Sequence, residues 1–117
     1  MIDNIKTIGQ LKRKLLSVYS IDTVRDDYKI GWSNCNPTYG QCAVTSLLVR
    51  ELFGGEIYKL EKEKYYNNLI NDEVIDLTKE RFEYNLDYSK GIKRTKPFDE
   101  ETIKRYDKLK IMLNDSK

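Results

Sequence analysis

At Gly54-Gly55 the apolar period of this chain switches from that of a helix to that of a strand. Before the glycines, Ala43, Val44, Leu47 and Leu48 recur at three- and four-residue spacing, the stripe of an amphipathic helix. After them, Ile57, Tyr58 and Leu60, then Tyr65, Tyr66 and Leu69, then Val74, Ile75 and Leu77 fall in short alternating runs separated by polar turns. Such runs predict three antiparallel strands over 56–60, 64–70 and 74–78. The chain is therefore expected to be α+β, with one helix packed on a small antiparallel sheet.

The ends of that helix are marked. Thr38 with Gln41 three residues later matches a capping box, in which each side chain satisfies the other's free backbone donor. Pro37 closes the loop before it, and the glycines offer the left-handed residue that commonly ends a helix. The helix is predicted from near Tyr39 to about Phe53. Two more helices flank this core. Ile5, Ile8, Leu11, Leu15, Val18 and Tyr19 recur at helical spacing over 5–19. Near the C-terminus Asp99 can cap a helix, Phe98 and Ile103 form a hydrophobic staple, and Ile103, Tyr106, Leu109 and Leu113 carry the apolar face. Trp32 is expected as a core anchor, and residues 84–96, mixed and basic, as a strand or loop.

A chain of 117 residues is one ordinary domain, spanning 1–117, that can bury a core without metal or disulfide help. Its 21 Lys+Arg against 19 Asp+Glu leave +2, no electrostatic footprint for nucleic acid. The charged stretches at 59–64 and 104–110 read as solvated helix or strand faces. No stretch approaches the roughly 18 apolar residues of a membrane span, so a cytoplasmic protein with no membrane partner is expected. Cys35 and Cys42 are seven apart without a CxxC pattern, and the chain has no histidine. Neither a zinc site of the usual kinds nor any other cofactor is expected.

Cys42 falls in the first turn of the predicted helix, where unpaired amides and the positive end of the helix dipole favour a thiolate. A nucleophilic cysteine belongs there. A small buried hydrophobe on a core helix would leave the same sequence, and most unpaired cysteines behave that way.

The blocks from Asn36 to Leu48, Phe53-Gly54-Gly55-Glu56-Ile57, Tyr65-Tyr66-Asn67 and Asp76-Leu77-Thr78, in that order, resemble the YunG-like family of small bacterial proteins. The resemblance covers roughly residues 32–82. It implies a papain-like or transglutaminase-like core with a cysteine, histidine and aspartate. By position Cys42 matches the nucleophile, and Asp76 the acidic member that orients an imidazole and stabilises its charged form. Gln41 resembles the glutamine-cysteine pairing at such a helix start, although the oxyanion glutamine of papain-like enzymes generally lies further upstream. The histidine should precede Tyr-Tyr-Asn, and counting back twelve residues from Asp76 lands on Lys64.

That departure is chemical. A cysteine enzyme of this type needs a base that takes the thiol proton and returns it to the leaving group near neutral pH. Lysine, with an ordinary pKa of about 10.4, stays charged and does not readily cycle a proton. The resemblance thus implies a catalytically degenerate member that binds a peptide or small-molecule ligand in the cleft around Cys42. The alternatives are a cysteine-dependent hydrolase or acyl transferase in which Lys64 or a partner replaces histidine, and a protein whose Cys42 is structural and whose function lies elsewhere. If a five-residue loop over 69–73 joins the second and third strands, Lys64 lies diagonal to Asp76 on one face, within reach of its carboxylate. A two-residue turn separates them. Lys64→His is expected to restore slow burst kinetics.

Overall fold

The computed structural model describes residues 5–24, 29, 32, 33, 38, 40–79, 82 and 84–115. Helix α1 is Ile8–Val18, one turn or less shorter at each end than its apolar pattern. Thr7 stops it by capping the amide of Gln10, whose side chain returns the bond to Thr7, a complete capping box. Leu11, Leu15 and Val18 point into the core.

Helix α2 is Cys42–Phe53 and forms the centre of the molecule. Seven of its side chains, from Cys42 to Val49, are buried, so it is covered on more than one side, as expected of a core helix rather than a surface one. The predicted capping box is absent. Gly40 has φ of 73°, outside the helical range, so the helix cannot extend back through it. The Thr38 hydroxyl is buried with no hydrogen bond, and the Gln41 side chain reaches Ser20 instead of the cap. The predicted start at Tyr39 lies outside the described residues. At the other end Gly54, with φ of 82°, terminates α2 as expected. Gly55 is needed for a different reason: a Cβ there would stand 2.5 Å from the Leu69 carbonyl oxygen.

The sheet has four antiparallel strands in the order β3-β2-β1-β4: β1 Glu56–Leu60, β2 Tyr65–Ile70, β3 Glu73–Ile75 and β4 Ile92–Lys93. Asn71 and Asp72, both with positive φ, make a two-residue turn between β2 and β3, the conformation that matches strand twist. The third strand is shorter than predicted. Asp76 accepts the Thr78 amide at 3.2 Å, and this local turn ends the ladder at Ile75. Lys64, expected at the start of β2, is instead a turn residue with φ of 52°. Strand β4 is a late addition in sequence, paired to β1 through Tyr58 with Lys93 and Lys59 with Ile92.

One face of the sheet carries Ile57, Tyr66, Ile70 and Ile75 against α2, and the Asn68 amide donates to the Ser46 carbonyl at 3.0 Å. Helix α3, Glu100–Asp115, packs on α2 and on α1 through Tyr106, Leu109 and Leu113. Asp99 caps it as predicted, accepting the Thr102 amide at 2.9 Å. Ile103, expected on its buried face, is exposed; Thr102 and Arg105 occupy the buried side near the helix start. The opposite face of the sheet is covered by Phe82, Leu86 and Tyr88, which pack against a cluster of Cys42, Leu60 and Tyr65. Trp32 is half-buried and belongs to neither cluster. Among the described residues no helix is long and apolar enough to cross a membrane.

Candidate functional site

Cys42 is the first residue of α2, and its side chain is buried. Its neighbour Cys35 lies outside the described residues. Cys42 stands where the turn end of the β1–β2 hairpin meets the helix. It packs with Leu60 and Tyr65 on one side and lines a cavity of about 390 Å³ on the other.

The register decides which predicted residues share that cavity. Asn68 pairs with Ile75 across a two-residue turn, so Tyr65 and the position of Asp76 fall on the outer side of the sheet and Tyr66 on the helix side, while Lys64 precedes β2 in the turn. Lys64 lines the same cavity as Cys42. Asp76 lines a different one, with Val74, Phe82 and Tyr88. The expected approach of Lys64 to Asp76 is therefore corrected: a shorter turn than the five-residue loop puts them on opposite sides.

Asp76 is held by tyrosines instead. Tyr65 donates its hydroxyl to one carboxylate oxygen and Tyr88 donates to the other at 2.5 Å. The Thr78 hydroxyl lies 2.5 Å from that of Tyr65, and the Thr78 amide also reaches Asp76. Burial pushes the Tyr65 hydroxyl far above the ordinary tyrosine range. The charge of Asp76 and its hydrogen bond add to the shift, and a charge on Cys42 adds further. Tyr65 is therefore a fixed proton donor toward Asp76, neither a base nor a cation.

Gln41 is fully buried and does not line the Cys42 cavity. Its amide nitrogen donates to the Ser20 carbonyl at 3.2 Å, tying the start of α2 to the end of α1, and its oxygen is buried without a hydrogen bond. This is a structural employment.

The rest of the cavity wall comes from parts of the chain that sequence reading did not connect to Cys42. Arg94, placed by β4, is pinned by bonds to the Tyr66 hydroxyl at 2.8 Å and the carbonyls of Lys96 and Pro97 at 3.1 and 3.0 Å. Its guanidinium lies 4.1 Å from the Phe98 ring centre. Lys59 and Tyr66 come from facing positions of β1 and β2. Arg105, Glu101, Thr102 and Asp99 come from the start of α3. The signal for Tyr65 was strand parity, readable once the Asn71-Asp72 turn is fixed. For Arg94 and Arg105 no local signal existed. Among the described residues no group of histidine, cysteine or acidic side chains is arranged to hold a metal ion.

An α+β fold with a cysteine opening its central helix over an antiparallel sheet defines the class. A family model described as YunG protein matches residues 7–116, and the chain belongs to the YunG family. It is 37% identical over 59 residues to the uncharacterized protein YunG of Bacillus subtilis (strain 168); the match spans 49% of this chain and about half, 51%, of that relative. No solved structure matches the chain.

Proposed function

We propose that this protein is a catalytically degenerate member of a papain-like design that binds a peptide or small molecule in the cleft around Cys42. The observation that carries the proposal is the bond from the Tyr65 hydroxyl to Asp76. In a cysteine, histidine and aspartate arrangement the carboxylate orients the base that serves the thiol. Here both carboxylate oxygens of Asp76 accept from tyrosines, and the group next to Cys42 is a phenol held protonated. With no histidine in the chain, no described residue at the site is a base suited to take the thiol proton and deliver it to a leaving group. What remains is a cavity of ligand size, with a polar rim and two aromatic rings.

One observation favours the second reading, a cysteine-dependent hydrolase or acyl transferase. Lys64 shares the cavity with Cys42, so its ammonium can stabilise a thiolate there. A cation beside a thiolate supports one acylation, whereas turnover needs the proton returned. The test is to incubate the wild-type protein and Cys42→Ala with activated acyl esters and small amides. The degenerate reading expects no multiple turnover. Cys42-dependent turnover would replace it with the enzymatic one.

A further inference from the structure

The cavity beside Cys42 has an unbalanced charge. Four cationic side chains line it, Lys59, Lys64, Arg94 and Arg105, against two carboxylates, Asp99 and Glu101. Both carboxylates are already engaged. Glu101 lies 3.5 Å from the Arg105 guanidinium, and Asp99 caps α3. The three other cations are not neutralised within the cavity. The Arg94 bonds given above all go to uncharged oxygens, those of Tyr66, Lys96 and Pro97. Among the described residues Lys59 has one ion pair, a 3.8 Å contact with Glu61, which is exposed and lies outside this cavity. Lys64 is exposed and has no ion pair among the described residues. The Tyr66 and Phe98 rings, packed edge to face 5.0 Å apart, supply an apolar wall beneath Arg94.

We infer that this cavity receives a small ligand carrying an oxyanion, a carboxylate or phosphate group, with an apolar or planar body laid against Tyr66 and Phe98. Resting on the binding role proposed above, the inference names the ligand's chemistry. Arg94 is fixed in place before any ligand arrives, so its remaining N–H groups present a preorganised donor set. Lys59 and Lys64 add mobile charge from the two sides of the β1–β2 hairpin. The backbone around Gly40, Cys42 and Ala43, at the positive end of α2, completes the wall.

Benzoate, phenylphosphonate and benzamide test this by calorimetric titration of the full chain. The three share a ring and differ in charge; benzoate and phenylphosphonate have no bond for a cysteine enzyme to cleave, and benzamide, whose amide such an enzyme could cleave, is titrated into Cys42→Ala as well as wild type, so the result does not depend on whether the protein turns over. Wild type is expected to bind at least one of the two anions, at least tenfold more tightly than benzamide, and to lose affinity as salt rises. Whichever anion binds more tightly identifies the oxyanion as carboxylate or phosphate. Lys64→Gln, at an exposed turn position that does not hold the core, is expected to weaken the anion at least fivefold while the thermal midpoint is unchanged or raised. Equal binding of benzamide, binding of neither anion, or an unchanged anion affinity in both Lys64→Gln and Lys59→Gln would overturn the inference.

Discussion

The Tyr65 hydroxyl donates to the Asp76 carboxylate on the outer side of the sheet, while Lys64, one residue earlier, lines the cavity on the helix side with Cys42. The step from the turn residue Lys64 to Tyr65, the first residue of β2, thus separates the residue at the family's histidine position from the acid that matches the family pattern. The consequence is that substituting at position 64 cannot rebuild a linked cysteine, histidine and aspartate.

Lys64→His is therefore expected to leave the protein without turnover. An imidazole there would share the cavity with Cys42 but would lack Asp76, whose two oxygens already accept from Tyr65 and Tyr88. Burst kinetics with an activated acyl ester provide the check. A burst followed by steady turnover in this variant would mean that Asp76 is not needed to orient the base, and the earlier expectation from sequence would stand.

Tyr65→Phe should destabilise the fold by about 1–3 kcal/mol, the usual consequence of leaving buried polar partners unsatisfied. The ring stays, so the packing against Phe82 at 4.8 Å is kept, and the loss falls on Asp76 and the Thr78 hydroxyl. Urea denaturation measures it. A change under about 0.3 kcal/mol would show that Tyr88 and the Thr78 amide suffice for Asp76, against the magnitude given for a buried polar group.

Much of the fold was legible in the sequence because its signals are local. The glycine pair fixed the end of α2, and the alternation after it located β1 and β2 to within a residue. The Thr38–Gln41 signature misled, since the same two residue types also fit a loop in which Gly40 turns left-handed and Gln41 bonds to Ser20. The site was half legible. Cys42 stands in the first turn of α2 as expected, although the capping box that suggested it is absent, and the side of the sheet on which Asp76 falls depends on one turn length. Arg94 reaches the cavity through the pairing of β4 with β1, a contact between distant segments that no periodicity announces. Ile103 was misplaced because Thr102 and Arg105 take the buried side of α3, with Arg105 bonded to the Thr23 carbonyl at 3.4 Å.

The alkaline limb of stability should be steep. Burial raises the hydroxyls of both Tyr65 and Tyr106 above the ordinary tyrosine value of 10.0, and the Asp76 and Glu51 carboxylates add to it. A group whose folded pKa is raised contributes stability that is complete below its unfolded pKa and declines as pH rises through the folded one. Stability is therefore expected to fall progressively above pH 10. Tyrosinate absorbance should show some of the nine tyrosines ionising only as the protein unfolds. Full tyrosinate absorbance in a still-folded protein would contradict the buried, donor-only role of Tyr65.

Acid should act through Glu51. The Tyr106 hydroxyl donates to this carboxylate and Lys110 stands 3.2 Å from it, which together hold its pKa below the ordinary 4.5 despite the opposing effect of burial. The linkage has the opposite sign to that of the tyrosines. The contribution is complete above the unfolded pKa and is lost as pH falls below it. Glu51→Gln is expected to flatten stability against pH below about pH 4.5, measured by denaturation at fixed pH. An unchanged slope would place the acid sensitivity on other carboxylates.

Lys64 sits in a backbone conformation that ordinary residues adopt only at a cost of about 1 kcal/mol. Lys64→Asn, a residue that tolerates this region, is expected to raise stability by up to ~1 kcal/mol while weakening anion binding. Chemical denaturation and titration of the same variant separate the two effects. Lower stability with full anion affinity would remove Lys64 from the binding site.

The central claim is that the cleft around Cys42 binds without turning over. Intact-mass analysis of the protein mixed with excess activated acyl ester, followed in parallel by product release, tests it most directly. The expected result is at most one acyl group per chain, attached to Cys42, with no product beyond that single equivalent. Product released many times over by wild type and lost in Cys42→Ala would contradict the claim and make this chain a working cysteine enzyme.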